Sequence, residues 1–119
     1  MVEDVWAAVD VGSPIVNLSG AENQVQGAIT DGLSASWLQE LDIEGGAIVQ
    51  SNFHEYPLLR MPQAPRRIHI EFIRSAHPPT GLGEPCLPPL AAAVANAVFA
   101  ATGTRIRRLP FARTDLHWT

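Results

Sequence analysis

Apolar residues follow a strand-like pattern in two stretches of the chain. The stretch from Val2 to Val11 is apolar and partly β-branched and ends at Gly12-Ser13-Pro14, so it predicts a strand closed by a turn. The stretch from Arg66 to Arg74 alternates polar with apolar side chains, the apolar ones being Ile68, Ile70 and Phe72. This alternation predicts a strand with one polar face.

A third strand-like region is interrupted by two glycines. Residues 41–44 and 47–51 are apolar enough to pair, and Gly45-Gly46 lies between them. Two short strands around a two-residue glycine turn predict a β-hairpin.

Helical spacing begins after the first predicted turn. Ser19 and Glu22 have the spacing of a capping box, so we expect a helix over residues 20–40 with Ser19 as its N-cap. Gly27 and Gly32 lie inside this helix, where they allow either tight packing or the approach of a bulky ligand. One apolar face is predicted to be buried, formed by Val25, Ala28, Ile29 and Leu33.

A second helix is predicted over residues 90–102, with Pro88-Pro89 in its first turn and Gly103 just past its end. It is apolar nearly all round, which is typical of a helix buried on most sides. Two helices and four to five short strands, including the hairpin, give an α+β fold that cannot easily bury such a helix. We therefore expect residues 1–119 to form a single partial domain that belongs to a larger core.

Composition excludes some kinds of function. The 119 residues carry a net charge of −4, which argues against nucleic-acid binding. The single cysteine excludes an internal disulfide and a multi-cysteine metal site. The first residues are acidic where a signal peptide would be basic, and no apolar run is long enough to span a bilayer. The basic residues near the end are expected to form a solvated or interface strip, namely Arg105, Arg107, Arg108 and Arg113.

The candidate chemistry lies in the segment His77–Pro89. Five prolines and two glycines surround Glu84, the one strongly ionisable side chain at its centre. Such a loop restricts its own conformations and can place a carboxylate for use as a general base. Considered alone, Glu84 could equally be an ordinary surface carboxylate.

Several ordered blocks extend over most of the chain, roughly from Val5 to Asp115. They are Val9–Asn17, Gln24–Ala28, Gly32–Ser34, Gln50–Tyr56, Leu59–Met61, Pro78–Pro85 and Ala93–Gly103. Together they resemble the C-terminal part of the molybdenum-binding large subunit of the xanthine dehydrogenase/aldehyde oxidase family. The branch that they resemble most is the isoquinoline 1-oxidoreductase β-subunit type, which includes membrane-associated bacterial aldehyde dehydrogenases.

The resemblance implies a molybdopterin cofactor, often as the cytosine dinucleotide, and no metal ligand from the protein. Glu84 corresponds to the family's general base. In that family the glutamate takes a proton from a hydroxyl on molybdenum, whose oxygen attacks an aldehyde or N-heterocycle carbon while hydride passes to a sulfido ligand. The cofactor supplies the redox chemistry, and the protein supplies placement.

The resemblance also implies the other site residues. Gln24 matches a glutamine beside the cofactor, and Gly81 and Gly83 would let the backbone approach the metal centre. Gln26 stands where many relatives carry Glu, which keeps hydrogen bonding but loses the charge. Cys86 stands where relatives carry a small residue, and we expect it to be packed rather than nucleophilic, because no basic partner is placed beside it.

The implied partners are the remainder of the molybdenum subunit, or a companion chain, and an iron–sulfur or cytochrome electron-acceptor subunit. Alone, the chain is expected to be inactive; its localisation stays open, although relatives are often periplasmic. The alternatives are a non-catalytic remnant or interaction module that complements a companion chain and, less favoured, a free-standing small-molecule binder. We expect structural or exposed roles for Tyr56 and the four histidines, including His117, and packing or interface roles for Trp6, Trp37 and Trp118.

Overall fold

The computed structural model describes residues 1–116, so the predictions for His117 and Trp118 lie outside the described residues. Residues 1–116 form two helices and four strands, which confirms the predicted α+β class. In chain order they are β1 (Asp4–Val9), α1 (Leu18–Leu38), β2 (Ile43–Glu44), β3 (Ala47–Ile48), β4 (Arg67–Phe72) and α2 (Pro88–Thr102). Short 3-10 turns occur at Phe53–Glu55, Met61–Gln63 and Phe111–Arg113.

The central sheet pairs β1 with β4 in parallel, in a register that runs from Asp4 opposite Arg67 to Val9 opposite Phe72. Parallel strands need a long crossover, and α1 lies within it. The predicted hairpin is confirmed as β2 and β3, which are antiparallel and shorter than expected. Its glycines, Gly45 and Gly46, both adopt positive φ, as a tight two-residue turn requires.

The predicted N-cap of α1 is wrong. The Oδ1 atom of Asn17, not the hydroxyl of Ser19, accepts a hydrogen bond of 2.9 Å from the backbone N–H of Gly20. The helix therefore begins at Leu18, two residues earlier than the capping-box spacing indicated. Asparagine is at least as good an N-cap as serine, and here it reaches the third N–H of the first turn.

The core forms where α1 meets the sheet and α2. All four residues of the predicted apolar face are buried, and Val25 and Phe111 are the largest fully buried side chains. At Gly32 a Cβ would lie 3.2 Å from side-chain atoms of Leu87 and Leu90, so this glycine allows close helix packing. At Gly27 a Cβ would meet open space, so packing does not explain this glycine.

The second helix ends as predicted, because Gly103 adopts a φ of 71° and its N–H bonds to the carbonyl of Phe99 at 2.8 Å. As predicted, this chain alone does not bury α2 on most sides. Only Leu90 and Val94 of the helix are buried, because the described residues supply neighbours along one side alone. Neither α1 nor α2 is long and apolar enough to cross a membrane.

Candidate active site

The loop that carries Glu84 is fastened to the segment that leaves β1. The backbone N–H of Thr80 donates to the carbonyl of Val11 at 2.8 Å. The N–H of Ser13 donates to the carbonyl of His77 at 2.9 Å. These two bonds run in opposite directions between the segments, so the start of the loop is held along the end of the sheet.

A carboxylate organises the same junction. Oδ1 of Asp10 accepts hydrogen bonds from the hydroxyl of Ser75 at 2.7 Å and from the backbone N–H of Gly12 at 3.0 Å. The Ser75 hydroxyl, followed by the Gly12 N–H, lowers the pKa of the Asp10 carboxyl, because both donors favour the charged form. Asp10 thus ties the first residues of the loop to the turn after β1.

Gly12 permits the closest approach between the two segments. Its φ is 77°, and a Cβ built on it would lie 2.2 Å from the carbonyl oxygen of Pro78. Any other residue would combine an unfavourable backbone conformation with a clash against main-chain atoms. The sequence predicted a turn at Gly12, but it gave no indication that Pro78 would lie against it.

Glu84 itself is exposed, between two partly buried residues. The side chains of Leu82 and Cys86 pack against the core on either side of it. The carbonyl of Glu84 accepts a hydrogen bond of 2.9 Å from the N–H of Leu87, in the turn that leads into α2. The loop is therefore anchored before and after Glu84, while the carboxylate is accessible from outside.

Cys86 has the surroundings of a packed side chain. It is partly buried, and burial raises the pKa of its thiol. A raised pKa disfavours the thiolate, which is the nucleophilic form. This agrees with the expectation that Cys86 is a packing residue.

The proposed cofactor contacts lie on two different elements. Gly81 and Gly83 are exposed in the loop, and a Cβ on either would meet nothing within 4 Å. Gln24 is exposed on α1. It lies eight residues before Gly32, the glycine that packs against Leu87 at the end of the loop, and so about 12 Å from Gly32 along the helix axis. The amide of Gln24 and the bare backbone of the loop are both accessible, and their roles as cofactor contacts stay predictions.

The block Gln50–Tyr56, one of those that carry the family resemblance, is joined to the C-terminal end of α1 by hydrogen bonds. The hydroxyl of Tyr56 donates to Oε1 of Gln39 at 3.0 Å, and the amide of Gln39 donates to the buried hydroxyl of Ser34 at 3.1 Å. Ser34 also accepts the backbone N–H of Leu59 at 2.9 Å. Helical spacing gave no reason to single out Ser34, which joins α1 to the chain that returns to β4.

The sequence and the fold both have counterparts among known proteins. Residues 1–65 match the family described as the molybdopterin cofactor-binding domain. The chain is 36% identical over 109 residues to isoquinoline 1-oxidoreductase subunit beta of Brevundimonas diminuta, a match that covers 92% of this chain. It is 37% identical over 108 residues to the membrane-bound aldehyde dehydrogenase (pyrroloquinoline-quinone) of Gluconacetobacter polyoxogenes, covering 91%.

Among solved structures, quinoline 2-oxidoreductase from Pseudomonas putida 86 superposes with a TM-score of 0.76 at 25% identity over 88% of this chain. The chain therefore belongs to the molybdopterin cofactor-binding domain family, and the predicted family is confirmed. It spans 14% of the length of each of these three proteins.

Proposed function

We propose that this chain is the segment of a molybdenum-dependent hydroxylase or aldehyde dehydrogenase that supplies the general base, Glu84. The observation that carries the proposal is the placement of this carboxylate. It is exposed at the tip of a loop that Leu82 and Cys86 anchor on either side and that hydrogen bonds fasten to the end of β1. A general base must be held within hydrogen-bonding distance of its proton donor, about 3 Å, and an anchored loop provides such placement.

The residues around Glu84 fit a bulky cofactor. The open space beside Gly81 and Gly83 allows a large group to approach the backbone on the exposed side of the loop. When bound, molybdopterin supplies the redox centre that accepts electrons from the substrate. The amide of Gln24 has donors and an acceptor for a pterin or its cytosine dinucleotide extension.

Glu84 has one chemical task in this proposal. Its carboxylate accepts a proton at Oε as an aldehyde or an N-heterocycle is oxidised. The anchored loop holds the backbone of Glu84 near the end of β1, and the exclusion of water falls to surfaces beyond this chain. Residues 1–119 thus form a partial domain that works only with the remainder of the subunit and with an iron–sulfur or cytochrome electron-acceptor subunit.

A chimera tests the proposal. Residues 1–119 replace the matching segment of Brevundimonas diminuta isoquinoline 1-oxidoreductase subunit beta, and the assembled enzyme is assayed for molybdenum content and isoquinoline oxidation. We expect both to be retained, whereas the isolated chain has neither. A chimera that binds molybdenum but lacks turnover would contradict a catalytic role and favour the interaction module. Molybdenum and turnover in the isolated chain would contradict the partial-domain proposal.

A further inference from the structure

An apolar groove runs between the start of β1 and the outward side of α2. Its volume is about 650 Å³, and we call it the α2 groove. One wall is formed by β1 and the end of α1, and the other is formed by α2. The residues that matter here are Val2, Val5, Trp37, Ala93, Ala97 and Ala101.

The α2 wall does not have the composition of a solvated helix face. Ala93, Ala97 and Ala101 follow one another at intervals of about one turn, and all three are exposed. The helix Pro88–Thr102 contains no charged residue. A helix that is apolar all round is typically covered by protein on most sides, and alanines allow the covering backbone to come close.

The whole chain has more surface than a protein of its mass exposes as a monomer. Its accessible surface is 8433 Å² at 12.9 kDa. A monomeric protein of this mass exposes about 6,300 Å², so the excess is about 2,100 Å². The radius of gyration is 16.6 Å, where a compact domain of this length has about 13.5 Å. This excess is of the size that one partner contributes to a large obligate interface.

The two-stranded β1–β4 sheet also has a face that the described residues do not cover. Parallel sheets are normally covered on both faces, but the outer face of the β1–β4 pair carries Trp6 with 73% of its surface exposed. Trp6 stacks on His69 of the neighbouring strand, at 5.1 Å between ring centroids. The exposed apolar surface of the α2 groove thus extends as far as Trp6, beside the polar side chains that β4 exposes on the same face, namely Arg67, His69 and Glu71.

We infer that the α2 groove is the docking site for the part of the molybdopterin-binding subunit that lies outside these residues, and that an apolar helix of that part packs on Ala93, Ala97 and Ala101. This inference rests on the proposed function for the identity of the partner. The matched relatives are long enough to supply it, because the chain covers 14% of their length. Apart from Glu3 and Asp4, the groove is lined by apolar side chains, so the occupant presents an uncharged face to the α2 wall.

The test uses two separate chains. Tagged residues 1–119 are coexpressed with Brevundimonas diminuta isoquinoline 1-oxidoreductase subunit beta from which the matching segment has been deleted, and the copurified amount is measured. We expect an equimolar complex with the wild-type chain. Ala97→Lys, which places a charge in the groove, should reduce copurification by about tenfold or more. Ala101→Lys should act in the same way.

A matched control separates docking from helix stability. Ala92 is also an exposed alanine of α2, but it points about 140° away from Ala97 and does not line the groove. Ala92→Lys should copurify within about twofold of the wild type. Circular dichroism of the three lysine variants should show equal helix content, so that a loss confined to Ala97→Lys and Ala101→Lys reports on docking.

Other outcomes would overturn the inference. They are a wild-type chain that does not copurify, equal copurification of all three lysine variants, and a homodimer of residues 1–119 that Ala97→Lys dissociates. Failure of the proposed function gives a different result. In that case the complex still forms and still depends on Ala97, but Glu84→Gln leaves the turnover of the complex unchanged.

Discussion

The hydroxyl of Ser75 donates a hydrogen bond of 2.7 Å to Oδ1 of Asp10 and thereby joins the loop before Glu84 to the end of β1. The same oxygen accepts the N–H of Gly12, the residue on which Pro78 packs. One carboxylate oxygen therefore serves both sides of the junction that supports the candidate base. This junction makes the position of Glu84 sensitive to residues that do not touch it.

Acid should weaken the junction. Because hydrogen bonds from Ser75 and Gly12 hold the pKa of Asp10 below its ordinary value, the stabilisation is present above about pH 4 and is lost as the pH falls through the folded-state pKa. Asp10→Asn removes this charge. We expect the variant to be less stable than the wild type at about pH 7 and the difference to shrink at about pH 3.

Urea unfolding at the two pH values measures this difference. Asp31→Asn, which changes an exposed carboxylate of α1, is the matched control and should show little effect at either pH. A difference between wild type and Asp10→Asn that is the same at both pH values would contradict the role of the Asp10 charge.

Gly12→Ala should be strongly destabilising. The added Cβ would clash with the carbonyl of Pro78, and the positive φ costs a further about 1–2 kcal/mol, so we expect a loss of about 2 kcal/mol or more. Gly27→Ala is the contrasting change. Gly27 lies in α1 beside open space, so alanine there should stabilise the chain by about 1 kcal/mol. Denaturant midpoints of both variants check the two signs, and a neutral Gly12→Ala would show that the close contact is unimportant.

The cap of α1 can be tested with a pair of serine and asparagine variants. Asn17→Ala removes the acceptor for the N–H of Gly20 and should cost about 1 kcal/mol in the free energy of unfolding. Ser19→Ala should cost little, since its side chain lies within the first turn and is exposed. Thermal unfolding compares the two, and a larger effect at Ser19 would restore the capping box predicted from the sequence.

Local patterns predicted the elements that depend on few residues. The hairpin at Gly45-Gly46 and the helix end at Gly103 each follow from glycines that adopt positive φ in a short segment. The cap of α1 was predicted less well, because Asn17 and Ser19 are both good N-cap residues and only the backbone path decides between them.

Contacts between distant segments could not be read from the sequence. Nothing in the spacing of Gly12 and Pro78 indicates that their backbones meet, and the junction at Asp10 depends on the same approach. The incomplete burial of α2 was expected from its composition, because an all-round apolar helix indicates a completed core and the described residues supply part of one. For the candidate site, the residue types around Glu84 suggested a placed carboxylate, and the resemblance suggested its chemistry.

Turnover of the chimeric enzyme with Glu84→Gln tests whether Glu84 is the general base. The amide keeps the shape of the side chain but cannot accept the proton, so we predict a loss of at least about 100-fold in turnover with an unchanged molybdenum content. Glu71→Gln, on an exposed carboxylate of β4, should leave both values as they are. Turnover retained by Glu84→Gln, at full molybdenum content, would contradict the assignment of Glu84 as the base.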